Sequence, residues 1–180
     1  MGVTVMSDGK ILGMSHVAYK CKDVDASVRF YRDVLGGEEA FELLYSEFYI
    51  YQKQLAQQAG KPLDPEFDEK FGKYGDRVWI RYVKFGPVFV ELFDTGAATD
   101  YMYPDDYHWG YQHLSLEVDD IKLFTEKIRK AGAPIDSEPA MGMEHTWQMW
   151  SHDPDGNKIE FMQYTDKSYQ VVGKKEIEYK

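Results

Sequence analysis

The chain has 180 residues, 43% of them hydrophobic and 29% charged, and a formal net charge of −10, the make-up expected of one globular domain with a real core. No run reaches the roughly 18 apolar residues of a membrane span, and no Lys/Arg cluster offers the basic face that displaces counterions from nucleic acid, so neither membrane nor nucleic acid is expected as a partner. The opening MGVTVMSDGK lacks an apolar signal segment and the one cysteine, Cys21, excludes an internal disulfide framework, so a cytoplasmic setting is expected, with Cys21 a small half-buried strand residue.

In chain order, the first predicted element is a strand through His16-Val17-Ala18-Tyr19, where residue types alternate. Asp23 then stands where an N-cap belongs, its carboxylate able to accept first-turn N–H groups. Val24, Val28, Tyr31 and Leu35 follow at helical spacing, and Gly36-Gly37 supply a left-handed stop. Ser46 to Gly75 read as a helix, a Pro-rich turn and a second short helical or irregular stretch, a segment that caps the fold or contacts a partner. Two strands follow, Val78–Phe85 and Val88–Phe93, turning at Gly86-Pro87. Thr95–Trp109, rich in Asp, Tyr and Gly, reads as a linker and contains His108.

The pattern then starts again. Set over His16, His113 opens a strand through Val118. Asp120 falls under Asp23 as a second N-cap, Ile121, Phe124, Ile128 and Ala131 repeat the helical spacing, and Gly132 repeats the stop. Strands follow near His145–Ser151 and Lys158–Tyr164, joined by Asp153-Pro154-Asp155-Gly156-Asn157, a strong turn signal because Pro fixes φ and Gly accepts φ > 0. The period is βαβββ, twice. Module one covers about 11–94 with an insertion at 46–75, the linker 95–109, module two about 110–165, and a tail 166–180.

The repeat carries chemistry. His16 opens the first strand of its copy and Glu91 lies in the last; His113 and Glu160 hold the equivalent places in the second copy. Two-fold pairing of the halves would bring all four to one centre. Two imidazoles and two carboxylates make a mixed N/O site for Zn²⁺, Ni²⁺, Co²⁺, Fe²⁺ or Mn²⁺. Glu91 stands in the almost wholly apolar run VFVELF, where an uncompensated carboxylate is costly and a cation removes the cost. Beside these four, Tyr111 shares the direction of His113 and is a candidate to hydrogen-bond substrate. Trp147 and Met149 share parity with His145. A tight hairpin would set Met149 near Glu160, with Trp147 lining the cup and His145 facing the pocket as an extra acid or base. Core packing is the competing reading of Trp147 and Met149, and a packed strand-edge tyrosine that of Tyr111. His152, before the turn, reads as solvated.

His16 before its strand, DVDASVRFYRDVLGG, Glu91 in VELF, His113 in GYQHLSLEVDD and Glu160 in DPDGNKIEF together resemble the vicinal oxygen chelate superfamily of glyoxalase I, bleomycin-resistance proteins and extradiol dioxygenases. The resemblance runs over about residues 11–165 apart from the insertion. It implies an α+β fold in which two βαβββ modules form a cupped, barrel-like mixed sheet around one divalent metal ion. Acid residues at both 91 and 160 resemble the glyoxalase-I-like branch and imply a lyase or isomerase acting on a hemithioacetal or related α-hydroxy carbonyl, with Zn or Ni favoured. Glu160 is the implied base that moves a carbon-bound proton, Glu91 serves the opposite face, and a homodimer is expected. Alternatives within the superfamily are a ring-cleaving dioxygenase or thiol transferase using His16, His113 and Glu160, and a non-catalytic protein that sequesters a small molecule such as an antibiotic. Glutathione-using members often carry Arg four residues after the first His and Asn four after the first Glu. Lys20 and Thr95 stand there in this chain, and Lys does not reproduce the planar Arg fork.

Overall fold

The computed structural model describes residues 13–94 and 111–173; the expected linker over 95–109 lies outside them. The first part runs β1 (His16–Cys21), α1 (Val24–Arg29), a π-type turn over Phe30–Val34, β2 (Glu38–Leu44), α2 (Tyr45–Gln58), α3 (Pro65–Phe71), β3 (Val78–Phe85) and β4 (Val88–Asp94). The second runs β5 (Leu114–Glu117), α4 (Ile121–Lys130), β6 (Ser137–Met141), β7 (Trp147–His152), β8 (Lys158–Gln163) and α5 (Tyr169–Val172). The strands form two four-stranded sheets of one topology, β1-β4-β3-β2 and β5-β8-β7-β6. In each the opening strand lies parallel to the closing one, and the other pairs are antiparallel. The fold is α+β, and the doubled βαβββ period read from the sequence is present in both halves.

The punctuation residues act as their chemistry requires. Asp23 accepts from Ala26 N–H at 2.9 Å, and Asp120 from the N–H groups of Lys122 and Leu123, each at 3.0 Å, so equivalent carboxylates start equivalent helices. Gly36 (φ 85°) and Gly132 (φ 89°) end them in the left-handed region that side chains resist. The helical insertion of the first module is α2 and α3, between β2 and β3. It is held by rings: Phe48 stacks on Trp79 at 4.0 Å, Phe67 on Phe71 at 4.5 Å, and Tyr45 on Tyr74 at 4.5 Å.

One core joins the modules. Tyr19 and Cys21 of β1, Val90 and Leu92 of β4, and Val28 and Tyr31 of the first helical segment pack in the same cluster as Leu114, Ile121, Ile128, Met149, Ile159 and Phe161. The loop expected merely to turn the chain also clamps the halves together. Asp155 accepts from the Lys22 N–H and from the Ser27 hydroxyl, both at 2.9 Å, and Asp153 accepts from the Tyr31 hydroxyl at 2.9 Å. Because the core-facing sides of both sheets meet here, strand alternation turns the opposite sides outward. Those outward sides carry His16, Ala18 and Lys20 on β1, all exposed, and Glu91 on β4.

Candidate metal and active site

His16 opens β1 and Glu91 lies on its parallel neighbour β4, where Ala18 is the residue directly beside Glu91. The His16 Nδ1 stands 3.6 Å from Glu91 Oε1 and 2.9 Å from the Ser15 hydroxyl. The second half repeats the geometry. His113 sits just ahead of β5, Glu160 lies on parallel β8, and His113 Nε2 stands 3.4 Å from Glu160 Oε2. Both carboxylates are largely shielded, with side-chain exposures of 13% and 9%, while the imidazoles are more open at 49% and 35%. Each pair is therefore a wall residue and an accessible ring, open on one side.

These pairs suit a divalent cation. Ligand atoms each bonded at about 2.1 Å to a tetrahedral ion stand roughly 3.4 Å apart, which is the separation the pairs show. Two imidazole nitrogens and two carboxylates match a borderline divalent ion in donor type and, at charge −2, in charge. The structure brings His16 to Glu91 and His113 to Glu160. Among the described residues no group of three or more His, Cys, Asp and Glu side chains converges on one point. A single chain thus presents two imidazole–carboxylate pairs, each a candidate half-site, one on the outward side of each sheet.

The flanking candidates fall elsewhere, and the hairpin register explains why. The loop between β7 and β8 spans five residues, closed by Asp153 N–H donating to the Asn157 carbonyl at 3.1 Å, with the last ladder pair His152 opposite Lys158. An odd loop sets even-numbered residues opposite even, so Trp150 faces Glu160 and Met149 faces Phe161. This corrects the expectation for Met149 and Trp147. Met149 is fully buried in the core, and Trp147 packs against the same core with the Lys122 ammonium 5.2 Å from its ring centre. Tyr111 is hydrogen-bonded through its hydroxyl to that of Tyr19, whose ring belongs to the inter-module core, rather than directed at Glu160. His145 lies ahead of β7 in the turn from β6 with φ 59°. Its carbonyl accepts from Thr165 and Ser168, and its ring meets Tyr169 edge-on at 5.4 Å, so it serves the C-terminal segment rather than the half-site. His152 is paired with Asp136 at 2.9 Å. His108 and Thr95 lie outside the described residues.

Two neighbours of the carboxylates were missed. Tyr82 on β3 stands directly opposite Glu91, and Trp150 on β7 directly opposite Glu160. The signal was in the sequence: counting outward from Gly86-Pro87 pairs Tyr82 with Glu91. Burial first, then the negative charge of Glu91 across the strands, hold the Tyr82 phenol above its ordinary pKa. The Trp150 ring instead meets His113 edge-on, centroids 4.8 Å apart. Phe41 stacks on Tyr82 at 4.1 Å, and Phe89 meets that ring at 6.3 Å.

Known proteins resemble this chain in sequence and in fold. The chain is 30% identical over 154 residues to a probable lactoylglutathione lyase of Synechocystis sp., covering 84% of this chain and 95% of that protein. It is 29% identical over 170 residues to a probable lactoylglutathione lyase of Vibrio parahaemolyticus, covering 93% of this chain and all of that one. Its fold superposes on the crystal structure of a glyoxalase/dioxygenase from Nostoc punctiforme with a TM-score of 0.57 at 18% identity, covering 92% of this chain and all of that chain. The sequence model of one family matches residues 13–161, a span that begins three residues before His16 and ends one after Glu160. By that match, the doubled module described above places the chain in the glyoxalase/bleomycin resistance protein/dioxygenase superfamily.

Proposed function

We propose that this protein is a metal-dependent lyase or isomerase of the glyoxalase-I type, moving a proton between adjacent carbons of a hemithioacetal or related α-hydroxy carbonyl. The observation that carries the reading is the repetition of an imidazole–carboxylate pair at equivalent register positions in both sheets, 3.6 and 3.4 Å apart. A divalent site with protein ligands needs three or four donors and each half-site offers two. The reading therefore joins the His16–Glu91 half-site of one chain to the His113–Glu160 half-site of another, in a homodimer. The relatives named probable lactoylglutathione lyases support the chemistry.

When bound, a divalent ion would supply Lewis-acid stabilisation of the oxygen charge that develops as the carbon-bound proton leaves. His16, Glu91, His113 and Glu160 would hold it. Glu160 takes the proton on a carboxylate oxygen and returns it to the neighbouring carbon. Its shielded side chain, 9% exposed, suits it to this by keeping the transfer out of bulk water. Glu91 serves the opposite face of the substrate. Lys20, exposed on the same side of β1 as His16, offers a single flexible ammonium to an anionic substrate group in place of a planar fork.

Metal analysis of the purified protein, followed by proton exchange on a series of hemithioacetals and α-hydroxy ketones, tests this. Glu160→Gln is expected to lower kcat by about 10²–10⁴-fold, the usual weight of a general base, while retaining most of the metal. Full activity in that variant, or a protein that takes up none of Zn²⁺, Ni²⁺, Co²⁺, Fe²⁺ and Mn²⁺, overturns the reading.

A further inference from the structure

The outward faces of the two sheets are not open along their whole length. The row of residues one step beyond Glu91 is Lys20, Phe93 and Ile80. The row one step beyond Glu160 is Glu117, Met162 and Gln148. Ile80 and Met162 are buried, 3% and 9% exposed, yet neither belongs to the core that joins the modules. In module one, rings of the α2–α3 insertion stand at that end: Phe48 stacks on Trp79 at 4.0 Å, and Trp79 meets Phe93 at 5.7 Å. In module two, α4 takes the core-facing side of that end. Its Ile121 N–H donates to the Gln163 side chain at 2.9 Å, and its Lys122 lies over Trp147. That leaves the outward side, over Met162, to the C-terminal segment 165–172.

Ser168 rivets this segment to the turn ahead of β7. It is fully buried. Its hydroxyl donates to the His145 carbonyl at 3.0 Å and accepts from the Thr165 N–H at 2.8 Å and the Thr146 hydroxyl at 2.9 Å. The Thr165 hydroxyl donates to the same carbonyl at 2.8 Å, and the Tyr169 N–H donates to the Glu144 carbonyl at 3.0 Å. To present its carbonyl, His145 holds φ 59°, a conformation that persists only where the surroundings fix it. A buried polar network satisfied in this way holds one geometry.

We propose that segment 165–172 is the end wall of the substrate cup in module two, that Ser168 is the residue positioning it, and that this wall restricts the site to substrates with a short substituent on the reacting carbonyl. The inference rests on the proposed metal-dependent function and deepens it. Met162 lies two residues along β8 from Glu160, roughly 7 Å at the strand rise, so the wall begins one row from the proposed base. Segment and base belong to one chain, and their spacing is the same however chains assemble.

The experiment uses full-length, Co²⁺-loaded protein and a series of hydroxamates, which chelate a divalent ion through two neighbouring oxygens. Their acyl chains probe the space beside the metal without turnover. Kd is measured from the visible spectrum for acetohydroxamate, butyrohydroxamate and octanohydroxamate. The wild type is expected to bind the longest about 10-fold or more weakly than the shortest, the scale on which a closed pocket discriminates by size. Ser168→Ala is expected to accelerate hydrogen exchange across 165–172 and to recover most of that loss for octanohydroxamate, with acetohydroxamate binding unchanged. A merely structural role for Ser168 would move all three ligands together. Thr165→Val, which removes the second hydroxyl on the His145 carbonyl, takes its place if Ser168→Ala fails to fold. No dependence on acyl length in the wild type, the same dependence in the variant, or unchanged exchange across 165–172 would overturn this inference while leaving the functional reading intact. A wild-type protein that binds no metal would overturn both.

Discussion

Tyr31 and Asp153 show how a turn signal becomes a structural joint. Asp153 accepts from the Tyr31 hydroxyl, the Asn157 side-chain amide and the N–H groups of Asp155 and Asn157, at 2.8–3.0 Å. Burial, the largest influence, pushes the Asp153 carboxyl above its ordinary pKa, and these donors pull against it. Tyr31→Phe removes one donor from a site where both partners are buried. The expected outcome is a loss of about 1–3 kcal/mol in unfolding free energy, read as a lower denaturant midpoint at unchanged m-value. Cys21 lies beside this joint, and burial pushes its thiol up to about 12, in keeping with a packing residue rather than a nucleophile. At this scale the proposed ligands were legible because the sequence writes each twice. Their cross-strand neighbours were not, because Tyr82 and Trp150 come to face Glu91 and Glu160 only through strand register, and a one-residue difference in loop length turns the other side of the strand to the site.

The helices and inner strands declare themselves through caps, glycine stops and apolar spacing, and they lie where those signals put them. The outer strands do not. Glu38–Leu44 carries three glutamates and Ser137–Met141 contains Pro139. Both are features of edge strands, whose free side faces water and which need little apolar patterning. The π-type turn at Phe30–Val34, where the Leu35 N–H donates to the Phe30 carbonyl at 3.0 Å, likewise gives no sequence signal, since the same residues fit an α-helix. The insertion was recognisable as a helix and a Pro-rich turn, with the helicity of the stretch beyond left open, but its anchor was not: Phe48 touches Phe67, Phe71 and Trp79 together. Phe48→Ala should therefore cost roughly 2 kcal/mol, less than the ~3–5 kcal/mol of a fully buried phenylalanine, and the damage should be local. Hydrogen exchange is expected to accelerate across α2 and α3 while β3, β4 and the second module keep their protection.

At the scale of the whole molecule, the shared core determines where a complete site can form. The helix-bearing sides of both sheets are consumed in holding the modules together, through Tyr31 and Asp153, Ser27 and Asp155, and the apolar residues around them. The sides that carry the proposed ligands are left outward, each with two candidate donors, so assembly rather than folding is proposed to complete the centre. This makes a sharp complementation experiment. Take one variant with His16→Ala and Glu91→Ala, and a second with His113→Ala and Glu160→Ala. Each alone keeps half the donors and is expected to bind metal poorly. When the two are unfolded together and refolded at equal amounts, mixed dimers unite the intact first half-site of one chain with the intact second half-site of the other. Half of randomly formed dimers are mixed, and each regains one site of two, so about a quarter of wild-type metal content and activity should return. Recovery must depend on co-refolding and vanish when the variants are combined only after folding into dimers that do not exchange. If both halves of a working site came from one chain, no mixture would restore anything. The titration thus separates assembly across two chains from rearrangement within one, using the same four side chains in either case.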